Sequence, residues 1–226
     1  MLDAALEGLV AHLTSADGGA DLERARAWFH ERTGAIEPGE PWYESRIRFF
    51  FDDYLCEWRS ADGTRPPARL LAAGAGEPAE REVAQACLRA ARSLYRVVNE
   101  GPVPRLEDLL GGGRFRVASL GSSAKLREGD VFDGRLLVVS DAIQLAPGII
   151  FHPRQTHEPL AEILAALDLD ATLDDDRRGL LDGLLRMRMR LDRFTSIRAK
   201  HLYRLEALGD RAILSAGWAR RAGGST

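Results

Sequence analysis

Apolar positions recur with helical spacing at both ends of the chain and alternate with polar ones in the middle. Leu2, Leu6, Leu9, Val10 and Leu13 form one helical stripe, closed by Ser15-Ala16-Asp17-Gly18-Gly19. Asp21 reads as the N-cap of a second helix that carries Leu22, Ala25, Trp28 and Phe29 and stops at Gly34. After the loop 37–41, a third helix is predicted to run to Trp58. It places Ile47, Phe50, Phe51, Tyr54, Leu55 and Trp58 on one broad face, the expected hydrophobic anchor of the molecule. Residues 60–67 read as a linker, and 68–73 as one or two helical turns. A clean helix over 77–91 follows, with Val83, Ala86, Cys87 and Ala90 on its inner side.

The period changes at Leu94. Leu94-Tyr95-Arg96-Val97-Val98, the alternating Arg114-Phe115-Arg116-Val117, the stretch 131–139 and Ala142-Ile143-Gln144-Leu145 read as strands. Gly111-Gly112-Gly113, Gly121-Ser122-Ser123, Glu128-Gly129-Asp130 and Ser140-Asp141 supply the turns, and Pro147-Gly148 breaks the ladder. Four or five short strands within 94–151 predict a small curled antiparallel sheet or barrel. The glycines belong to turns. The triplet is followed by a strand and by no Lys-Ser/Thr, so the P-loop and dinucleotide patterns both fail.

Helical spacing returns after the strands. Thr156 is a candidate N-cap for a helix to 167, with Pro159 in its first turn. His152, His157 and Glu158 invite a metal reading. Pro153 lies between the two histidines, however, and no third ligand is at hand, so neither metal nor cofactor is expected. The acidic stretch 168–176 lacks the central Gly and final Glu of a calcium loop, and Asp174 or Asp175 reads instead as a helix cap. The longest predicted helix spans 174–208. Leu180, Leu184, Met187, Leu191 and Phe194 step by four and three, and Leu202 and Leu205 continue the line. This is the seam of a helix pair, either within the chain or between two copies in a homo-oligomer. Its other faces carry Arg186, Arg188, Arg190, Arg193, Arg198, Lys200 and Arg204. The tail from 220 is expected to be disordered. The fold class is therefore α+β, in three regions: a helical 1–93, a small β unit at 94–151 and a helical 152–226.

Composition adds location and charge. Hydrophobic residues make up 45% and charged ones 29% of 226, as in an ordinary globular protein. No apolar run reaches the roughly eighteen residues of a membrane span. The first ten residues carry acids where a secretory signal carries Lys or Arg, so a cytoplasmic protein is expected. Cys56 and Cys87, both in predicted helices, fit buried thiols. Abundant Ala, Arg, Gly and Leu with only two lysines point to a high-GC bacterial source. Net charge is −3, unevenly spread. Residues 1–60 hold twelve acids against six arginines, whereas 177–226 hold twelve Lys or Arg against four acids. Internal complementarity or a charged partner would each account for this.

The run SLYRVVNEG…RLEDLLGGGRFRVASLGSSAKLREGDVFDGRLL, preceded by the aromatic helix YESRIRFFFDDYLCEW, resembles a domain of uncharacterised bacterial proteins. Some of those proteins carry a C-terminal SEC-C zinc motif. The resemblance covers roughly 40–152. The zinc motif does not carry over, because this chain has two cysteines and neither lies near its C-terminus.

No nucleophile–base pairing or nucleophile elbow stands out. Asp52 and Asp53 point to different helix faces. The favoured reading is a non-catalytic regulator or adaptor that binds another protein. Arg186, Arg190, Arg193, Arg198, Lys200 and Arg204 are its candidate partner-binding residues. The alternatives are a nucleic-acid binder using the same basic helix and an enzyme of unknown class.

Overall fold

The computed structural model describes residues 2–15, 18–35, 37–40, 42–99, 103–120, 125–167 and 174–208. The N-terminal helices are α1 (Leu2–Thr14), α2 (Gly19–Thr33), α3 (Tyr43–Cys56), α4 (Pro66–Ala72) and α5 (Pro78–Arg89). Periodicity located all but α4, which begins at Pro66 within the stretch 60–67 read as a linker, its two prolines fitting a helix's first turn. The N-cap expected at Asp21 is not one: α2 begins two residues earlier, and Asp21 is a buried acceptor for Ser60 (2.6 Å) and Arg69 (2.8 Å). The carboxylate thereby ties α2 to α4 and to the segment before it. Arg46 of α3 closes the far end of α2. It is 1% exposed and donates to the carbonyls of Gly34 and Ala35 and to the Thr33 hydroxyl. A helix end that would otherwise bury bare carbonyls is thus satisfied by a side chain.

The central sheet comprises β1 (Arg92–Asn99), β2 (Arg105–Asp108), β3 (Arg114–Arg116), β4 (Ser119–Leu120), β5 (Val131–Val139), β6 (Ala142–Leu145) and β7 (Ile150–His152). It curls into a half-barrel in the order β3-β2-β1-β5-β6-β4, with β7 also paired to β5. All pairings are antiparallel except β4 with β6. Helices stand at both ends of the chain, so the α+β expectation holds. β2 and β7 carry too few alternating positions to have been read from the sequence. The Ser140-Asp141 turn forms as expected without glycine: both residues have positive φ (49° and 59°), and Glu82 of α5 accepts from the Ser140 amide and hydroxyl. The turn read at Gly121-Ser122-Ser123 lies outside the described residues.

The sheet has two buried faces. Tyr95, Val97, Leu106, Val117, Phe132, Leu145 and Ile149 fill the concave side. On the convex side Leu137, Val139 and Ile150 join Phe29, Phe49, Phe50, Tyr54 and Leu55 of the N-terminal helices. Leu94 and Val131 join the C-terminal ones. Gly148 lets β7's approach lie against α3; a Cβ there would stand 2.5 Å from the Phe49 Cα.

After a single 3-10 turn (Arg154–Thr156), the C-terminal part forms α6 (His157–Ala166), α7 (Asp174–Arg193), α8 (Ala199–Leu202) and α9 (Leu205–Leu208). The single helix expected over 174–208 is therefore three. Thr195, Ser196 and Ile197 follow α7, and hydroxyl and β-branched side chains are poor helix formers. The seam residues Leu180, Leu184, Met187 and Leu191 are buried within the chain against α6, α8 and α9, while Phe194 is 52% exposed. Gly183 admits α9, since a Cβ there would meet Leu208 at 2.6 Å.

Phe50 is buried with its ring 5.6 Å from Phe29 and 5.3 Å from Phe51. Phe50→Ala should cost roughly 3–5 kcal/mol in a denaturant melt, as for other buried phenylalanines. A loss under about 1 kcal/mol would remove this residue from the core.

Candidate functional site

The structure separates the candidate arginines into two sets. Arg186 is 8% exposed and donates to the Arg32 carbonyl, stitching α7 to α2. Its neighbour Arg188 is also buried. It donates to the Phe151 carbonyl (2.8 Å), pairs with Asp192 and stacks on Trp42 (4.4 Å). Arg190 is half-buried. Arg193 is exposed but pairs with Glu40. Only Arg198, Lys200 and Arg204 lie wholly on the surface beyond α7. The charge asymmetry is thus met partly inside the molecule, by Arg178 on Glu57 (3.1 Å) and Arg193 on Glu40.

Beneath α7 lies an alternating line of charges that sequence reasoning missed. Asp133 of β5 binds Arg92 of β1 through two nitrogens (2.5 and 2.9 Å). Arg92 also reaches Asp182 of α7 (2.6 Å), which takes Arg32 of α2 on its other oxygen (2.9 Å). Arg32 reaches Asp53 of α3 (2.5 Å), and Asp53 takes Arg135 of β5 (2.7 Å). Arg135 lies 3.6 Å from Glu57, and Arg178 links Glu57 to Asp175 at the surface. The six central residues are at most 3% exposed. In the β1–β5 register Arg92 and Arg135 are direct partners, a like-charge pairing that ordinarily destabilises a sheet. Each finds its own carboxylate, and the ring of Phe49 lies 4.8 Å from one guanidinium and 5.3 Å from the other. Burial alone would raise the Asp53 carboxyl, but Arg32, Arg135 and Arg92 outweigh it and hold it below the ordinary range.

Asp52 stands outside this line, on the adjoining face of α3. It accepts the Gly148 amide (2.8 Å). Burial pushes its carboxyl up to about 7, with Asp53 and Asp3 adding to the rise against the pull of Arg135 and the Gly148 amide. His152 and His157 do not converge as ligands. The His152 Nδ1 lies 2.8 Å from the Tyr203 hydroxyl, and His157 Nε2 contacts the His152 carbonyl (2.9 Å). Burial, then Arg188, lowers the His152 imidazole to about 3. Cys56 and Cys87 are buried free thiols. Their mutual hydrogen bond, then burial, pushes the Cys56 thiol well up, away from the reactive thiolate.

The exposed C-terminal arginines frame a different feature. The segment 194–198 makes a tight turn, closed by the Ile197 amide on the Phe194 carbonyl (2.9 Å). Phe194 and Ile197 are 52% and 38% exposed on it. A groove of about 520 Å³ runs between this turn, the end of α7 and the 3-10 turn, lined by Pro153, Gln155, Leu191, Thr195, Ile197 and Arg198 among others. Among the described residues, no helix is long and apolar enough to cross a membrane. Comparison with family models, curated proteins and solved structures returned no match for this chain.

Two predictions follow from the electrostatics. Asp182→Asn leaves Arg32 and Arg92 short of a buried partner charge and should cost about 3–5 kcal/mol in a chemical melt; a loss below about 1 kcal/mol would show that the line tolerates a gap. For Asp52 the folded value lies above the ordinary one, near 4. Its contribution is full below pH 4 and is lost as pH rises through about 7. Asp52→Asn should therefore stabilise the protein by on the order of 1–3 kcal/mol near pH 8, with the gain vanishing toward pH 4. A pH-independent effect would sink this account.

Proposed function

We propose that the chain is a non-catalytic adaptor or regulator that docks a partner protein on the turn 194–198 and its groove, and that it acts in the cytoplasm. The observation that carries this reading is the pair Phe194 and Ile197, exposed on one turn. They are flanked by the exposed cations Arg198, Lys200 and Arg204. Large apolar side chains in water cost free energy until something covers them. The surrounding charge selects a partner segment that carries acidic residues beside an apolar anchor.

A second copy of the chain is a poor occupant. A two-fold interface would set this basic surface against itself. Nucleic acid is disfavoured as well, because Arg186 and Arg188 are consumed inside the molecule and Arg193 is engaged by Glu40. That leaves too sparse a stripe of cations to follow a phosphate backbone. The non-catalytic part of the proposal draws support from the use of the buried Asp53, Asp133 and Asp182 as struts between arginines. Kinship with the SEC-C-associated bacterial domain belongs to the same proposal and rests on the segments 43–58 and 93–137, within roughly 40–152. The reduced, buried cysteines agree with a cytoplasmic setting.

A photo-crosslinker placed at Phe194 in host cells should capture one protein that a crosslinker at Val138, exposed on β5, does not. With that protein purified, Phe194→Ala should weaken binding at least about tenfold, and Arg198→Glu with Lys200→Glu should slow association. Sub-micromolar binding to a mixed-sequence oligonucleotide at physiological salt, abolished by the charge reversal, would replace the adaptor reading. A homodimer dissociated by Phe194→Ala would do the same.

A further inference from the structure

The buried line of charges opens at one end into a cavity of about 100 Å³. Its walls are Glu57 at the end of α3, Arg59 and Arg65 before α4, the 90–91 link into β1, and Arg177 and Arg178 in the first turns of α7, with Arg92 on the buried side. Five guanidiniums face a single carboxylate. That carboxylate is already taken, by Arg178 at 3.1 Å and Arg135 at 3.6 Å. Arg92 is matched by Asp133 and Asp182, and Arg178 also by Asp175, so the basic excess of the lining falls on Arg59 and Arg65, whose hydrogen bonds go to backbone carbonyls.

It is also rich in donors. A guanidinium carries five N–H groups. Arg59 uses one nitrogen on the Gly63 carbonyl (3.2 Å), and Arg65 uses one on the Cys56 carbonyl (3.0 Å). The buried Nε of Arg178 has no hydrogen-bond partner. The N-terminal turn of α7 lies beside them and offers backbone N–H groups, its positive pole shared with Asp175 and Asp176 of the same turn. The space is large enough to admit one tetrahedral oxyanion. Fixed guanidinium forks match the oxygen geometry of such an ion, whereas bare ammonium groups would not.

We propose that this cavity binds a small tetrahedral oxyanion, phosphate or sulfate, either free or as the terminal phosphoryl group of a small molecule. The site is separate from the docking turn: the two lie at opposite ends of α7, roughly 25 Å apart at 1.5 Å per residue. Anion binding here would answer the charges of Arg59 and Arg65 and add bonds between the 57–65 segment and α7. The folded state would accordingly gain stability with ligand concentration.

The test uses the full chain, titrated with inorganic phosphate and in parallel with a small phosphomonoester, at constant ionic strength, and followed by amide NMR. Saturable shifts are expected at residues 57–59, 90–92 and 177–178, with 198–204 unmoved. Tighter binding of the ester would assign the site to a terminal phosphoryl group, and tighter phosphate to the free ion; either supports the proposal. Arg59→Gln with Arg177→Gln should weaken the anion by about tenfold or more, and Arg198→Gln with Arg204→Gln should leave it unchanged. Shifts that grow without saturation across all exposed arginines would overturn the proposal, as would equal affinity in the cavity variant. If the cavity variant does not fold, the map of shifts in the unaltered chain decides alone.

Discussion

The structure depends on three arginines and three aspartates sealed between the sheet and its helices. Taking an ion out of water costs several kcal/mol, and mutual attraction repays this only when every charge meets a partner in good geometry. Asp182 and Asp53 each bridge two guanidiniums, and Arg92 and Arg32 each bridge two carboxylates. The six residues come from α2, α3, β1, β5 and α7. A shift of any one element would strand a bare charge, so the line acts on register more than on net stability. A purely apolar interface would tolerate sliding; this one does not.

Much of the fold was legible in the sequence because periodicity reports burial directly. The N-terminal helices, β1, β5 and the Ser140-Asp141 hairpin all follow from spacing and turn chemistry. The ion line was not legible for the converse reason. Asp133 and Arg135 alternate with Phe132 and Leu136 as the wet side of a strand would, yet theirs is the face covered by helices. Likewise Arg46, Asp52 and Asp53 look like the solvated side of an amphipathic α3. A charge is buried only where its counter-charge waits, and here the partners lie as far as 150 residues away. Nothing local announces that. The long C-terminal helix failed differently: Phe194 continues the apolar step by coincidence, and the following Thr195-Ser196-Ile197 ends the helix.

α7 joins the buried ion line to the exposed turn 194–198. Its first turns carry the arginines that close the ion line at the surface, and its middle is buried on two sides, by Leu184 toward α9 and Leu185 toward the N-terminal core. Its last turn delivers the chain to an exposed apolar turn. Counting cations over 174–208 could not separate Arg186 and Arg188, which hold carbonyls of α2 and β7, from Arg198 and Lys200, which are exposed beyond α7. Acidic and basic halves of the chain complement one another only in part, and the remainder stays on the surface.

The strict alternation of the ion line also governs how this protein can change over generations. Reversing one charge would place two or three like ions in mutual contact, so no single reversal offers a viable intermediate. The accessible routes are paired exchanges across one bridge, or wholesale replacement of the line by apolar side chains of equal volume. Related chains should therefore fall into discrete types, with Asp53, Asp133 and Asp182 retained or lost together with Arg32, Arg92 and Arg135. Surface cations such as Arg198 would drift independently of them.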